Sequence, residues 1–153
     1  MNISWSYLDK RSAAISAIKD RGNMQYIIDH TDDEIKEERS RMGDLRSPAM
    51  DGMPHGSDLG SGEERLIAGI EEIDILKERY RQALEYMDWF VPAWNHLSED
   101  EQYVLETFYG CDNEYGDCVV TIIMDRFRIE RSSAYRKKNR ALNHLTTLLF
   151  GKG

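Results

Sequence analysis

The sequence predicts an all-α fold, in which an N-terminal antiparallel helical hairpin of coiled-coil type is followed by a C-terminal helix-turn-helix domain. Apolar residues recur at helical spacing along most of the chain, and a segment rich in glycine and proline at 43–62 separates two helical stretches. A short apolar stretch, a tight connection and a basic amphipathic stretch follow one another near the C-terminus. The expected domains are therefore residues 1–95, including the loop at 43–62, and residues 96–153.

Three Ser/Thr-x-x-Glu pairs mark the expected helix starts. In such a capping box, each side chain satisfies a main-chain N–H group that the first helical turn leaves unpaired. The three pairs are Thr31 with Glu34, Ser61 with Glu64, and Ser98 with Glu101. The helical region before the loop is expected to be interrupted at 21–23, where the sequence reads RGN.

The helix expected at 63–91 has the most regular pattern. Its apolar residues follow at alternating steps of four and three, which places a narrow stripe along one side of the helix. The stripe consists of Leu66, Ile70, Ile73, Tyr80, Leu84, Met87 and Val91, with Lys77 as its polar member. Pro92 is expected to end or kink the helix. Such a stripe can pair within the chain or between two chains, as a homodimer.

Charge is distributed unevenly along the chain. The formal net charge is -8, but residues 1–125 carry 12 basic and 27 acidic side chains, whereas residues 126–153 carry 8 basic side chains and 1 acidic one. No apolar run approaches the ~20 residues of a transmembrane helix, and the N-terminus lacks the apolar core of a secretory signal. We therefore expect a cytoplasmic protein with no membrane partner, in which Cys111 and Cys118 are reduced thiols.

The sequence lacks the usual motifs of catalysis and metal binding. It contains no phosphate-binding glycine loop, no HExxH and no glycine-flanked nucleophilic serine, and its four histidines share no ligand spacing. Cys111 and Cys118, with Asp112 and Asp117 between them, give only a weak zinc signal. We expect no enzyme activity, no catalytic or metal-binding residue and no cofactor.

The basic segment at 130–145 has two distinct faces if it is helical from residue 131. Ala134, Ala141, Leu142 and Leu145 fall on one side, which we expect to face the core. The candidate DNA-binding residues on the other side are Arg131, Ser132, Ser133, Tyr135, Arg136, Asn139 and Arg140. Guanidinium groups bind phosphate or guanine, an amide can read adenine, and small hydroxyl residues allow close approach. The helix dipole does not explain these cations, because several lie in the first half of the helix, where it disfavours them.

The stretches LSEDEQYVLETFYG and VVTIIMDRFRIERSSAYRKKNRALNHL resemble region four of bacterial sigma factors, a helix-turn-helix that reads promoter DNA. The whole chain, including its DGMPHGSD loop, is similar to phage and prophage transcriptional regulators of the ArpU type. The resemblance implies base contacts for Arg131, Ser132 and Arg136, and places Tyr135, Asn139 and Arg140 near phosphates. The chain differs from the sigma pattern at a small residue, a turn glycine, a serine cap and an apolar position, which are here Met124, Arg128, Glu130 and Lys137.

These observations favour a phage- or prophage-type transcriptional regulator that binds double-stranded promoter DNA, with RNA polymerase as a further partner. One alternative is a packaging adaptor, because small terminase subunits also combine a helix-turn-helix with oligomerising helices. Those proteins usually place the DNA-binding unit first in the chain, whereas here it comes last. The other alternative is a module that binds RNA polymerase without contacting DNA.

Overall fold

The computed structural model describes residues 8–46, 59–110 and 116–152, which form five α-helices. The helices are α1 (Lys10–Arg46), α2 (Leu59–His96), α3 (Glu99–Tyr109), α4 (Gly116–Phe127) and α5 (Arg131–Phe150). No strand occurs in this part of the chain, so the predicted all-α class is confirmed. Most of the predicted 43–62 loop, from residue 47 to residue 58, lies outside the described residues.

The two long helices extend beyond the predicted limits. α1 continues through 21–23, so the predicted interruption is wrong. It also continues through Thr31, which is buried and donates its hydroxyl hydrogen to the main-chain carbonyl of Ile27 instead of capping a helix. Ser61 lies inside α2 and is not its N-cap, because the helix begins at Leu59. α2 also continues through Pro92 and ends at His96.

The third predicted capping box is confirmed. The Ser98 hydroxyl accepts the Glu101 N–H, and the Glu101 carboxylate accepts the Ser98 N–H, each at 3.2 Å. These reciprocal bonds satisfy two main-chain donors at the start of α3. The helix then buries Val104, Leu105 and Phe108, the three apolar residues that the sequence placed at helical spacing.

Contacts divide the chain into two compact units. One unit comprises Met1–Asn23 and Tyr86–Gly153, and the other comprises Met24–Glu85. We call them the five-helix unit and the two-helix unit. The division between the units crosses both long helices and differs from the expected domain boundary between residues 95 and 96. The reason is that the beginning of α1 and the end of α2 pack with α3 and α5 in one hydrophobic cluster.

In the two-helix unit, the stripe along which α2 packs on α1 shares Ile73 with the predicted stripe but differs from it at several other positions. Ile35 of α1 clusters with Ile73 and Leu76 of α2, and Met42 lies against Gly69, so the two segments run antiparallel. The residues that face α1 therefore include Gly69, Leu76 and Ala83, whereas the predicted stripe members Ile70, Lys77 and Leu84 are exposed. The prediction was wrong at Ile70, Lys77 and Leu84. It favoured large side chains over the small residues Gly69 and Ala83, which are buried, and Gly69 lies beside Met42 of α1.

The five-helix unit has two hydrophobic clusters, and both include residues of α5. The larger cluster joins α5 to α3 and to the adjoining ends of α1 and α2, with Phe90, Trp94 and Leu105 among its members. The smaller cluster joins α3, α4 and the start of α5 around Ile123 and Ala134. Because both clusters hold it, α5 is fixed along most of its length, and its remaining side faces solvent.

Candidate nucleic-acid interface

The inner face of α5 packs where the sequence predicted. Ala134, Ala141, Leu142 and Leu145 are each at most 1% exposed. Ala134 belongs to the cluster shared with α4, and the other three residues lie in the larger cluster with Leu105 of α3. The predicted inner face is therefore confirmed, and it determines which side of the helix is presented to solvent.

The seven candidate DNA-binding residues lie on the remaining side of α5. Ser133 is partly buried, and the other six are exposed, namely Arg131, Ser132, Tyr135, Arg136, Asn139 and Arg140. Their positions recur at intervals of about four residues, which brings them together on one face of a helix. We call this surface the outer face of α5.

The connection between α4 and α5 is a tight turn at residues 128–130. Arg128 has a φ of 52°, the left-handed conformation that glycine usually adopts just after a helix. The N–H of Ile129 donates to the carbonyl of Met124 at 3.1 Å, which is the closing bond of a Schellman motif. The Met124 and Ile129 side chains both pack against the smaller cluster. The turn therefore forms with arginine in the position where the sigma pattern has glycine.

α5 begins without a side-chain cap. Glu130 is the N-cap residue, and its carboxylate makes no capping hydrogen bond, although its main-chain carbonyl accepts the Ala134 N–H at 2.9 Å. A negative charge at a helix N-terminus is electrostatically favourable. Glu130 is also the sole acid in residues 126–153, so it weakens the positive potential at the beginning of the outer face.

Aromatic rings position two lysines beside the outer face. The Lys137 ammonium lies 4.4 Å from the ring centroid of Phe127, and the Lys138 ammonium lies 5.1 Å from that of Tyr135. A cation is attracted to the electron-rich face of an aromatic ring. This contact accommodates Lys137 at a half-buried position that is apolar in the sigma pattern. Neither lysine was among the predicted site residues.

Four cations of α5 have no carboxylate within ion-pair distance among the described residues. They are Arg136, Lys137, Lys138 and Arg140. Arg136, Lys137 and Arg140 line a surface depression of about 230 Å³ together with Ile129 and Ser133. Within the described part of the chain, this charge is therefore not neutralised by a neighbouring acid.

One further arginine joins the outer face from α1. The Nη2 atom of Arg11 donates to Oδ1 of Asn139 at 3.0 Å, and both side chains are exposed. The two residues are 128 positions apart in the chain. Because the contact is purely tertiary, no local sequence pattern could have indicated Arg11 as a member of this surface.

Glu101 connects the start of α3 to α5. Its carboxylate lies 2.7 Å from Nδ1 of His144 and also accepts the main-chain N–H of Ser98. Partial burial raises the pKa of Glu101, but the hydrogen bonds with His144 and Ser98 outweigh burial and bring that pKa below its usual value. The charged form of Glu101 therefore helps to hold α5 against α3, behind the outer face.

The described residues contain no group of three or more His, Cys, Asp or Glu side chains that could hold a metal ion. Cys118 is an exposed free thiol, whereas Cys111, Asp112 and the side chain of Asp117 lie outside the described residues. None of the helices described has both the length and the apolar character required to span a bilayer.

Comparison of the chain with protein-family models, with curated protein sequences and with solved structures gave no match. The candidate site is therefore defined by its own geometry. It is an exposed basic helix face, supported by two hydrophobic clusters, preceded by a tight turn and extended by one arginine of α1.

Proposed function

We propose that α4 and α5 act as a helix-turn-helix and that α5 enters the major groove of double-stranded DNA. The observation that carries this proposal is the charge on and beside the outer face of α5. The exposed Arg136 and Arg140 and the half-buried Lys137 and Lys138 have no carboxylate partner among the described residues. Concentrated positive charge binds the phosphate backbone by releasing its condensed counterions. An acidic chain can bind DNA in this way, because the release occurs where the two molecules touch.

The side chains of this face match the chemical groups of a major groove. The guanidinium groups of Arg131 and Arg136 can each donate two hydrogen bonds to a guanine edge, and Ser132 can donate or accept. Lys137 and Arg140 line one depression, which suits a phosphate group that both donors approach. Arg140 and Tyr135 would then bind the backbone and set the position of α5 in the groove.

The biological role that we propose is transcriptional regulation of the phage or prophage type. In this role the protein binds promoter DNA in the cytoplasm and contacts RNA polymerase as a second partner. The proposal rests on the basic helix described above and on the similarity of the C-terminal sequence to sigma region four. Nothing in the described residues favours the packaging adaptor or a polymerase-binding module without DNA contact.

We further propose that the two-helix unit forms a hairpin that pairs with a second copy of the chain. Ile67 and Ile70 are 55% and 47% exposed on α2, and Ile70 lines a cavity of about 410 Å³ with Met42 of α1. A dimer would bury these apolar groups and would present two copies of α5 to paired half-sites on DNA. Analytical ultracentrifugation tests this pairing, with Ile67→Glu and Ile70→Glu expected to yield monomers. A ring-sized assembly would contradict it and favour the packaging adaptor.

The DNA-binding proposal is tested by gel-shift titration of the full chain against phage late-promoter DNA. We expect binding that weakens as salt increases, because each phosphate contact releases counterions. Replacement of both Arg131 and Arg136 by alanine should abolish specific binding, since each bidentate arginine–guanine contact contributes about 1–3 kcal/mol of discrimination.

The matched control removes the same number of positive charges from the two-helix unit. Arg65 and Arg79 are exposed on α2, and their joint replacement by alanine should leave DNA binding close to that of the unaltered chain. The proposal fails if the unaltered chain does not bind at low salt. It also fails if the Arg131/Arg136 double variant binds specifically with undiminished affinity.

A further inference from the structure

The contact between Arg11 and Asn139 fixes which end of the Asn139 amide faces outward. An arginine side chain has only N–H donors, so the amide atom that it approaches at 3.0 Å must be the carbonyl oxygen. The amide nitrogen of Asn139, with its two N–H groups, is then the part left for other partners. The choice between the two amide orientations therefore follows from the chemistry of the contact.

We propose that Arg11 and Asn139 together form a donor-only phosphate-binding site at the edge of the outer face. The inference rests on the proposed DNA-binding function and adds to it a residue from a different helix. Arg11 holds the Asn139 carbonyl, so the amide contributes its two N–H donors to the site, and the Arg11 guanidinium contributes its own. A phosphate oxygen only accepts hydrogen bonds, and it therefore matches this arrangement.

The same geometry argues against adenine as the partner of Asn139. Asparagine reads adenine by donating to N7 and accepting from the N6 amino group, which requires both ends of the amide. Arg11 already donates to Oδ1, so the N6 amino group of an adenine would have to share that oxygen with a charged donor. Arg11 also adds a charge beside the amide, and its guanidinium has further N–H groups that can bind the same phosphate.

Replacement of Asn139 by aspartate separates a phosphate-binding role from a structural one. Asn139→Asp retains an oxygen for Arg11 and makes the contact an ion pair, so the packing of α1 on α5 is kept. The same change replaces the outward N–H groups by an oxygen that repels phosphate. Asn143→Asp is the matched control, because Asn143 is exposed one turn further along α5 and the charge change is equal.

The test measures the affinity of the full chain for two labelled duplexes over about 50–200 mM salt. One duplex has a mixed sequence, and the other is the phage late-promoter DNA of the gel-shift test. We expect Arg11→Ala and Asn139→Ala each to weaken binding about 10-fold on both duplexes, as for loss of a hydrogen bond to a charged group. The double variant should be little weaker than either, and Arg11→Ala should reduce the salt slope by about 1. Asn139→Asp should bind more weakly than Asn143→Asp.

Lys19→Ala controls for charge, since Lys19 is an exposed cation further along α1 in the same unit. If Arg11→Ala binds no more weakly than Lys19→Ala, or if Asn139→Asp binds as tightly as Asn143→Asp, the inference is overturned while the proposed function stands. If the unaltered chain binds neither duplex, the proposed function itself fails. Loss of affinity confined to one duplex also overturns the inference, because a phosphate contact acts on all sequences alike.

Discussion

Replacement of Arg128 by glycine should stabilise the protein, whereas the same change inside a helix should destabilise it. Arg128 ends α4 with a φ of 52°. The left-handed conformation costs a non-glycine residue about 1–2 kcal/mol, and glycine avoids that cost. Glycine also gives the unfolded chain more conformational freedom, which offsets roughly 0.5–1 kcal/mol of the gain. The expected net increase in the free energy of unfolding is about 0.5–1 kcal/mol.

The matched control is Lys19→Gly. Lys19 is exposed in the interior of α1 and belongs to the same unit as Arg128. Glycine at such a position should lower the free energy of unfolding by about 1 kcal/mol. Urea unfolding followed by far-UV circular dichroism measures both variants on one scale. If Arg128→Gly is as destabilising as Lys19→Gly, residue 128 is not left-handed, and the tight turn before α5 is refuted.

Three further changes test the packing around the proposed site and in the two-helix unit. Glu130→Ser should raise the free energy of unfolding by about 0.5 kcal/mol. A serine N-cap stabilises the helix by about 1 kcal/mol, and loss of the glutamate charge at the helix N-terminus costs about 0.5 kcal/mol. An unchanged melting temperature would contradict this prediction. Gly69→Val should lower the free energy of unfolding, measured in urea, by about 1–3 kcal/mol. The reason is that a Cβ at residue 69 would lie 2.9 Å from Cγ of Met42. Adding Met42→Ala to this variant should recover most of the lost stability. Full stability of Gly69→Val would exclude the close helix approach. The pKa of Glu101 is lowered in the folded state. The ionised Glu101 therefore stabilises the folded protein fully above its unfolded-state pKa of about 4.3, and this contribution is lost as the pH falls through its lower folded-state pKa. Acid titration of stability should therefore be steeper for the unaltered chain than for Glu101→Gln, and equal slopes would refute the contribution of Glu101.

Local sequence patterns predicted the C-terminal helices well. The Ser98–Glu101 capping box involves residues three apart, so its two bonds depend on local geometry alone. The inner face of α5 follows from helical spacing, and the burial of Ala134 and Leu145 agrees with it. The same type of pattern was misleading at Thr31, where packing against neighbouring residues keeps the hydroxyl inside a continuous helix.

Features that depend on tertiary contacts were not visible in the sequence. The packing stripe of α2 uses Gly69 and Ala83, whose small size permits close approach but contributes little to a hydrophobic pattern. The position of Arg11 beside Asn139 depends on the packing of α1 against α5, which no local spacing encodes. The left-handed Arg128 was also unexpected, because glycine is the residue that normally indicates such a turn.

The most direct test of the central proposal is sequencing of the DNA that is recovered with the protein from cells. This one measurement examines both contact and target. We expect enrichment of a short set of promoter sites that share a common motif, and loss of this enrichment in the Arg131→Ala/Arg136→Ala variant at equal protein level. Recovered DNA that matches the input, or enrichment that persists in the variant, would contradict DNA recognition by the outer face of α5.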